Sequence, residues 1–285
     1  MNAPHTSRAV TPSAPHAPPR LRLGCVSYLN ARPLIDGLGA GDGIELRADV
    51  PARLLADLEA GRVDAALCPV IDYHRAGVEL AILPAAGGIG SRGRTLTVRL
   101  FSRVEVAELT RVHVDVESHT SVALLAVLFR QRLGREVELV ELTPQGEPEA
   151  EAMLLIGDKV VTDAPPEADY PHQLDLGQAW HELTGLPFVF AVWMARVDAP
   201  GAGVAGLAAR LAARRRANAH RIEAIARAHG PTHGWPIDLA TRYLGQIMRY
   251  EVGEEELAAM HRFADLAAEA GLIERARPWR VWSES

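Results

Sequence analysis

The sequence predicts an α/β fold, and three features of its pattern support this prediction. Short apolar runs typical of strands alternate with amphipathic, helix-like segments as far as about residue 195. Several of these runs end abruptly in polar residues, as strands do at the ligand-binding edge of an open sheet. Beyond that point the pattern is typical of helices alone. The alternation indicates sheets covered by helices, but it does not decide between one lobe and two.

Composition restricts the class of protein. The chain has 285 residues, of which 48% are apolar and 23% charged, so it is long enough for a large core or two lobes. The net charge of −6 argues against a nucleic acid or an anionic membrane as the main partner. No segment approaches the length of an apolar membrane span. Cys25 and Cys68 lie in apolar runs, which favours buried thiols over a disulfide or a metal pair.

Residues 1–20 are predicted to be a disordered tail. They contain five prolines among small and polar residues, and such a segment buries too little apolar surface to offset the entropy of ordering. The tail also lacks a continuous apolar stretch of signal-peptide length. We therefore expect a cytoplasmic protein, either a monomer or a homodimer.

The first predicted strand, residues 21–26, leads into the first candidate ligand loop. After this strand the character of the chain changes to Ser27, Tyr28 and Asn30, before a predicted helix. Ligands of open α/β sheets lie beyond the carboxyl ends of strands, so a hydroxyl, a phenol and an amide grouped there indicate a ligand-contacting loop. The alternative is that Ser27 or Asn30 only caps the next helix.

The other predicted elements continue the alternation. Strands are expected at residues 44–50, 63–68, 95–101, 112–116, 137–142, 152–156 and 186–194. Helices are expected from Pro51 to the residue before Gly61, and at 122–133, 175–185, 204–228, 238–250 and 254–270. The run at 186–194 is almost wholly apolar, which indicates a central strand buried on both faces.

A polar, glycine-rich segment at residues 87–94 is the second candidate site. It lacks the Gly-Lys-Ser/Thr sequence of a phosphate loop. It is either a mobile connection or, as we favour, a loop whose free backbone amides approach an anion near Gly90 and Ser91. Thr97 would add a further hydroxyl donor.

Three hydroxyls precede the helix predicted at 122–133. Ser118, Thr120 and Ser121 fall where helix N-caps belong, and one of them suffices for a cap. The amino end of a helix also attracts anions, so three hydroxyls together favour a carboxylate site. His119, between them, is a candidate general base, although a lone histidine in a turn is more often a surface residue.

Other motifs are less informative. Asp158 follows the strand at 152–156 and either faces a cleft or pairs with Lys159. No Cys/His cluster has the spacing of a zinc site, and neither H-E-x-x-H nor G-x-S-x-G occurs. We interpret the histidines of the carboxyl-terminal helices as incidental, namely His220, His229 and His233.

Five separated motifs together resemble one known family. They are S-Y-L-N-x-x-P-L at 27–34, C-P-V-I-D-Y at 68–73, D-x-x-S-x-T-S at 115–121, I-G-D at 156–158 and D-L-G-x-x-W-x-x-L-T-G-L-P-F-V-F-A-V-W at 175–193. In this order they resemble the chorismate dehydratases of menaquinone biosynthesis by the futalosine route. The resemblance covers nearly the whole chain after the tail.

The resemblance implies a fold and a division into lobes. The fold would be periplasmic-binding-protein-like, of type 2, with the ligand in a cleft between two α/β lobes. Residues 21–98 and 192–285 would form lobe 1, which includes the carboxyl-terminal helices, and residues 99–191 would form lobe 2. The two crossings would fall near residues 98–102 and 188–194.

The resemblance also implies an activity, the loss of water from chorismate to give 3-[(1-carboxyvinyl)oxy]benzoate. The expected partner is therefore a small dicarboxylate, with no nucleic acid and no membrane. Its two carboxylates need two anion-holding places. The hydroxyls of Ser118, Thr120 and Ser121 would supply one, and the loop at Gly90 and Ser91 the other. Because aromatisation of the ring drives the reaction, no metal, flavin or nicotinamide cofactor is expected.

Asn30 is the residue that we expect to be catalytic. No histidine or carboxylate stands out as the base, so we hypothesise that the substrate's own enolpyruvyl carboxylate takes the proton. Asn30 would hydrogen-bond the reacting portion and Tyr28 would shape the pocket. Ser27 and Asp158 are further candidate substrate contacts. The chain departs from the family pattern at Thr97, where a serine-containing stretch is expected.

Three other functions stay open from the sequence. A sister enzyme of the same pathway, a 1,4-dihydroxy-6-naphthoate synthase, shares the fold, although the S-Y-L-N opening favours the dehydratase. A solute-binding component of a transporter would bind without catalysis, but it would need an export signal. A ligand-sensing regulatory domain would need a DNA-binding helix-turn-helix or a linker to one.

Overall fold

The computed structural model describes residues 21–39, 41, 43–143, 150–199 and 201–282. The predicted disordered tail, residues 1–20, lies outside the described residues. The strands are β1 Leu21–Val26, β2 Ile44–Asp49, β3 Ala65–Pro69, β4 Leu80–Ile82, β5 Gly88–Ser91, β6 Val98–Ser102, β7 Arg111–Val114, β8 Glu138–Glu141, β9 Ala152–Ile156, β10 His172–Asp175, β11 Phe188–Arg196 and β12 Met248–Arg249. The α-helices are α1 Arg32–Ile35, α2 Pro51–Glu59, α3 Asp72–Arg75, α4 His119–Leu133, α5 Lys159–Thr162, α6 Leu176–Thr184, α7 Gly201–Ala219, α8 Ile222–His229, α9 Ile237–Arg242 and α10 Glu254–Glu269.

Among the described residues the strands form two sheets. The larger has seven strands in the order β12-β5-β11-β3-β1-β2, with β4 also paired to β11. β1 is parallel to β2 and β3, whereas β11 is antiparallel to β3, β4 and β5. The smaller has five strands in the order β10-β6-β9-β7-β8. The mixed directions and the covering helices confirm the predicted α/β class.

β11 is the central strand of the larger sheet, as its apolar sequence predicts. The first eight of its nine residues are buried, because β3 lies on one side of it, β4 and β5 lie on the other, and α10 packs against it. All of β11 belongs to the larger sheet, and β6, which opens at Val98, belongs to the smaller one. The exact division into lobes at residues 98 and 192 stays a prediction.

The glycine-rich segment is a strand, so the prediction of a loop at residues 87–94 is wrong for its central part. β5 pairs with β11 on one side and with β12 on the other. Its glycines permit this pairing. A Cβ on Gly88 would lie 2.4 Å from the carbonyl oxygen of Ala191, and one on Gly90 would lie 2.7 Å from that of Phe188. The glycines therefore serve close strand packing here.

The carboxyl-terminal part is less uniformly helical than predicted. The helix expected at 204–228 is divided into α7 and α8 by a turn, from which Arg221 reaches the carboxylate of Asp36 at 3.1 Å. Instead of one helix at 238–250, the structure has the short helix α9, followed by a π-helical segment, Tyr243–Ile247, and then by β12. π-Helical turns are rare and often occur at functional sites.

No helix in the described part of the chain is both long enough and apolar enough to cross a membrane.

Candidate active site

A pocket lies between the two sheets, at the ends of several of their strands. It contains about 530 Å³ of space between atoms, part of which is open to solvent. Val26 at the end of β1 and Pro69 at the end of β3 line one side, and Ile156 at the end of β9 lines the other. Its polar lining is Tyr28, Asn30, Thr95, Thr97, Ser118 and Ser121. Among the residues that the structure describes, no carboxylate or histidine side chain lines the pocket, which is consistent with a negatively charged ligand.

Asn30 lies in the short 3-10 turn after β1, where the sequence predicts the ligand loop. Its Oδ1 atom is buried and has no hydrogen-bond partner among the described residues. An unpaired polar atom on a pocket wall is costly unless a ligand completes it. Asn30 is therefore placed to bind a polar group of a ligand.

Tyr28 spans the cleft and also lines the pocket. Its hydroxyl donates to Oε2 of Glu117 at 2.5 Å, and its ring covers Gly157, where a Cβ would lie 3.1 Å from the ring. Lys159 bridges Glu117, at 3.0 Å, and Asp115, at 2.7 Å. Burial alone would raise the pKa of Glu117, but the hydrogen bonds from Tyr28 and Lys159 outweigh it and the pKa is lowered. Glu117 is therefore an ionised acceptor for the phenol.

The amino end of α4 supplies two of its three candidate hydroxyls to the pocket. Ser118 is the N-cap: its Oγ accepts from the backbone N–H of Ser121 and lies 2.8 Å from the Oγ of Ser121. Both serines line the pocket. Thr120 does not, because its hydroxyl is fully buried and accepts from the backbone N–H of Ile71 at 3.3 Å.

The other predicted contacts lie outside the pocket lining. Ser27 is exposed, and Gly90 and Ser91 belong to β5. The Ser91 hydroxyl donates to the carbonyl oxygen of Gly93. The assignment of these three residues to the substrate stays a prediction.

Asp158 also lies outside the pocket lining, and it pairs with residues other than Lys159. Its carboxylate accepts from the backbone N–H of Leu29 at 3.2 Å and from the indole N–H of Trp235 at 2.9 Å. It also pairs with Nδ1 of His233 at 2.7 Å. The two oxygens of Asp158 therefore make four hydrogen-bonding contacts within the protein. Substrate contact by Asp158 stays a prediction.

His119 pairs with a carboxylate on the other side of the cleft. Its Nδ1 lies 2.8 Å from Oδ1 of Asp72, which is fully buried at the start of α3. The imidazole is partly exposed and does not line the pocket. His119 therefore contacts α3, which follows β3 of the larger sheet, and it lies outside the pocket lining.

The described residues include no group of three or more His, Cys, Asp or Glu side chains placed to hold a metal ion.

Comparisons with known proteins identify the family. A family model described as "Menaquinone biosynthesis" matches residues 21–269. A protein of Thermus thermophilus named chorismate dehydratase is 31% identical over 262 residues, which is 85% of this chain and 93% of that protein. This chain belongs to the menaquinone biosynthesis family. The match extends over both sheets and the pocket between them.

Solved structures support the same fold for this family member. A protein of Archaeoglobus fulgidus superposes with a TM-score of 0.69 at 18% identity, over 90% of this chain and all of that one. A Candida albicans protein described as having the generic periplasmic binding protein fold superposes with a TM-score of 0.65 at 9% identity, over 94% of this chain and 99% of that one. The predicted periplasmic-binding-protein-like fold, two lobes with a cleft between them, is confirmed.

Sequence reasoning missed three side chains around the site of this family member. His233, which we interpreted as incidental, and Trp235 both bind Asp158, and the hydroxyl of Tyr243 lies 2.7 Å from Oγ1 of Thr97. All three follow α8 in the chain and reach the site only because the carboxyl-terminal helices pack against the first loop. The one local sequence feature that could have indicated these residues is the presence of two aromatic side chains, Trp235 and Tyr243, in the segment after α8.

Proposed function

We propose that this protein is a chorismate dehydratase, which converts chorismate to 3-[(1-carboxyvinyl)oxy]benzoate and water. The observation that carries the proposal is the 31% identity to the Thermus thermophilus chorismate dehydratase, which extends over 85% of this chain and 93% of that one. The pocket agrees with it, since its described walls offer hydroxyls and an amide, and no carboxylate side chain of the described residues lines it. We also propose that the protein works in the cytoplasm, in the futalosine route to menaquinone.

The reaction needs orientation and charge stabilisation more than it needs an external reagent. The C3–H and C4–O bonds break, a double bond forms between C3 and C4, and the ring becomes aromatic. In the overall balance, the C3 proton and the C4 hydroxyl make up the one water that is released, so neither an oxidant nor a reductant is consumed. In our proposal the enolpyruvyl carboxylate of the substrate accepts the C3 proton. The protein holds that carboxylate close to C3 and provides polar partners for the changing groups.

We assign one carboxylate of chorismate to the amino end of α4. α4 has 15 residues, so its first turn presents unpaired N–H groups and the positive end of the helix dipole. The hydroxyls of Ser118 and Ser121 stand at this end and line the pocket. Asn30, on the opposite wall, then lies over the ring portion and hydrogen-bonds a group that changes during the reaction.

The test is to incubate the purified protein with chorismate, with no added cofactor, and to determine the product mass. The proposal predicts a product lighter than chorismate by one water. Tight binding of chorismate without conversion would contradict it and indicate a solute-binding protein. Absence of both binding and conversion would also contradict it, and the dihydroxynaphthoate synthase would then be tested with its own substrate.

A further inference from the structure

Asp158 reaches from the smaller sheet to three N–H groups that belong to other parts of the chain. It follows β9, and its side chain is 17% exposed and lies outside the pocket lining. One partner is the backbone N–H of Leu29, after β1, at 3.2 Å. The others are the indole N–H of Trp235, at 2.9 Å, and Nδ1 of His233, at 2.7 Å. The carboxylate therefore joins the smaller sheet to the first loop and to the carboxyl-terminal segment.

The turn that bears Asn30 needs an acceptor at its amino end. This 3-10 turn is Leu29–Ala31, and the N–H groups that open a helical turn have no partner within it. Tyr28, in the N-cap position, supplies no side-chain hydrogen bond to it. The carboxylate of Asp158 supplies the acceptor instead, at the N–H of Leu29. Asn30 is the middle residue of the turn and presents its side chain to the pocket.

We propose that Asp158 is a positioning residue, whose carboxylate fixes the turn Leu29–Ala31 and thereby directs the Asn30 side chain toward the substrate. This inference rests on the proposed function for its effect on turnover. Leu29 directly precedes Asn30, so a displacement of its backbone is passed on to the Asn30 amide. A displacement of about 1 Å of a reacting group can lower a rate by about 100-fold. In this role Asp158 acts through the backbone of the protein.

His233 connects the other side of the turn to the same carboxylate. Arg32, two residues after Asn30, places a guanidinium nitrogen 3.4 Å from Nε2 of His233. A guanidinium only donates hydrogen bonds, so Nε2 is the acceptor in this contact and the imidazole proton is on Nδ1, facing Asp158. The backbone before Asn30 and the side chain after it are thus held by one connected group of residues.

The three partners of Asp158 all donate, which explains why a carboxylate stands at this position. A carboxylate has two accepting oxygens, whereas an amide has one oxygen and an NH₂ group. In Asp158→Asn the NH₂ group would face one of the donors, and in Asp158→Ala every contact would be lost. The two variants should therefore give graded effects, with Asp158→Asn between the wild-type protein and Asp158→Ala.

The kinetic test compares Asp158→Ala with the matched control Asp163→Ala. Asp163 lies five residues further on, is exposed, and accepts from the Thr162 hydroxyl. We expect Asp158→Ala to lower kcat by roughly 10- to 100-fold, the effect of a misplaced reacting group, with KM changed less than about threefold. Asp163→Ala should retain wild-type kcat. Full kcat in Asp158→Ala, or a rise in KM alone, would overturn the inference.

A double-mutant cycle separates positioning of Asn30 from a general effect on the fold or on the lobes. In an Asn30→Ala background there is no amide to position, so Asp158→Ala should lower kcat much less than it does in the wild-type background. An equal fold-change in both backgrounds would show that Asp158 acts independently of Asn30, and would overturn the inference. If Asp158→Ala does not fold, Asp158→Asn replaces it in every test, with an expected fall in kcat of about 5- to 20-fold.

A third measurement needs no activity, so failure of the proposed function can be distinguished from failure of this inference. Of the five tyrosines, only Tyr28 and Tyr243 are followed by leucine. Labelling tyrosine with ¹³C at the carbonyl and leucine with ¹⁵N therefore selects two amide signals, Leu29 and Leu244. Asp158→Ala should speed hydrogen exchange of the Leu29 amide by about tenfold or more and leave Leu244 as the internal reference. Unchanged exchange at Leu29 would overturn the inference, whether or not the wild-type protein converts chorismate.

Discussion

Asn30 is the residue on which the proposed chemistry depends. It follows the carboxyl end of β1, lines the pocket, and presents a buried oxygen that has no hydrogen-bond partner among the described residues. The backbone N–H of the preceding residue, Leu29, donates to Asp158, and among the described residues no carboxylate or histidine side chain stands beside Asn30 in the pocket lining. A neutral amide can bind a hydroxyl or a carboxylate at any pH near neutrality, so it suits a reaction in which the substrate provides its own base.

Replacing Asn30 with Ala should lower turnover far more than binding. The amide contributes mainly when charge and bonding change, so we expect kcat to fall by about 100-fold or more and the dissociation constant of chorismate to change only a few-fold. Calorimetric titration gives the binding, and product formation gives kcat. An equal loss of both, or no loss of either, would argue against this role. The thermal midpoint of the variant is the control for folding.

At the scale of elements, the crossing from the larger to the smaller sheet is held by the amino end of α6. Asp175 caps α6 through the backbone N–H of Gly177, and it also accepts from the backbone N–H groups of Thr95 and Leu96. Leu96 has a positive φ of 68°, an uncommon conformation for a residue with a side chain. Asp175, the first residue of the D-L-G sequence at 175–177, thus holds the backbone of Thr95 and Leu96, which leads to Thr97 in the pocket lining.

Gly177→Ala should destabilise the protein. A Cβ at this position would lie 2.2 Å from Cγ2 of Thr95 and 2.7 Å from the carbonyl oxygen of Gly93, so the crossing would have to move. We expect a loss of about 1–3 kcal/mol in the free energy of unfolding, the usual cost of overpacking. Denaturant titration measures this loss.

The matched control is Gly206→Ala, an exposed position within α7 where a Cβ would meet nothing within 4 Å. It should be neutral or stabilise the protein by up to about 1 kcal/mol, because alanine favours the helix. Equal stability of Gly177→Ala and the wild-type protein would contradict the packing argument.

Strands with alternating or continuous apolar residues were predictable, because burial of side chains decides their formation. β1, β2, β9 and β11 all lie within two residues of their predicted positions. β5 was not predictable from this signal. Its glycines bury no side chain, and its strand character comes from pairing with β11, which is distant in sequence.

The candidate site was predictable where it is local in sequence. Tyr28 and Asn30 follow β1, Ser118 is the N-cap of α4 and Ser121 lies in the first turn of α4, and all four line the pocket. The partners from the carboxyl-terminal segment were not predictable. Their positions depend on how the last helices pack against the first loop, and no local spacing encodes that packing.

At the scale of the whole molecule, polar contacts join the two sides of the cleft around the pocket. Tyr28 bonds to Glu117, the backbone of Leu29 bonds to Asp158, and His119 pairs with Asp72. Each contact joins a residue beside a strand of the larger sheet to one beside a strand of the smaller sheet. Because these contacts join the two sides of the cleft directly, we infer that they favour the arrangement in which the lobes lie close together.

Weakening these contacts should open the ligand-free protein. In Glu117→Gln combined with Asp158→Asn, both carboxylates lose their charge while their size is kept, so the radius of gyration from small-angle X-ray scattering should increase. Glu138→Gln is the control, since Glu138 pairs with Arg111 within the smaller sheet. An unchanged radius of gyration in the double variant would argue against a role for these contacts in closure.

The most direct test of the central claim is proton NMR of chorismate during incubation with the purified protein. The account predicts that the ring methine signals of C3 and C4 disappear, that aromatic ring signals replace them, and that the enolpyruvyl methylene signals persist in the product. Retained ring methine signals, or loss of the enolpyruvyl group as pyruvate, would contradict a chorismate dehydratase.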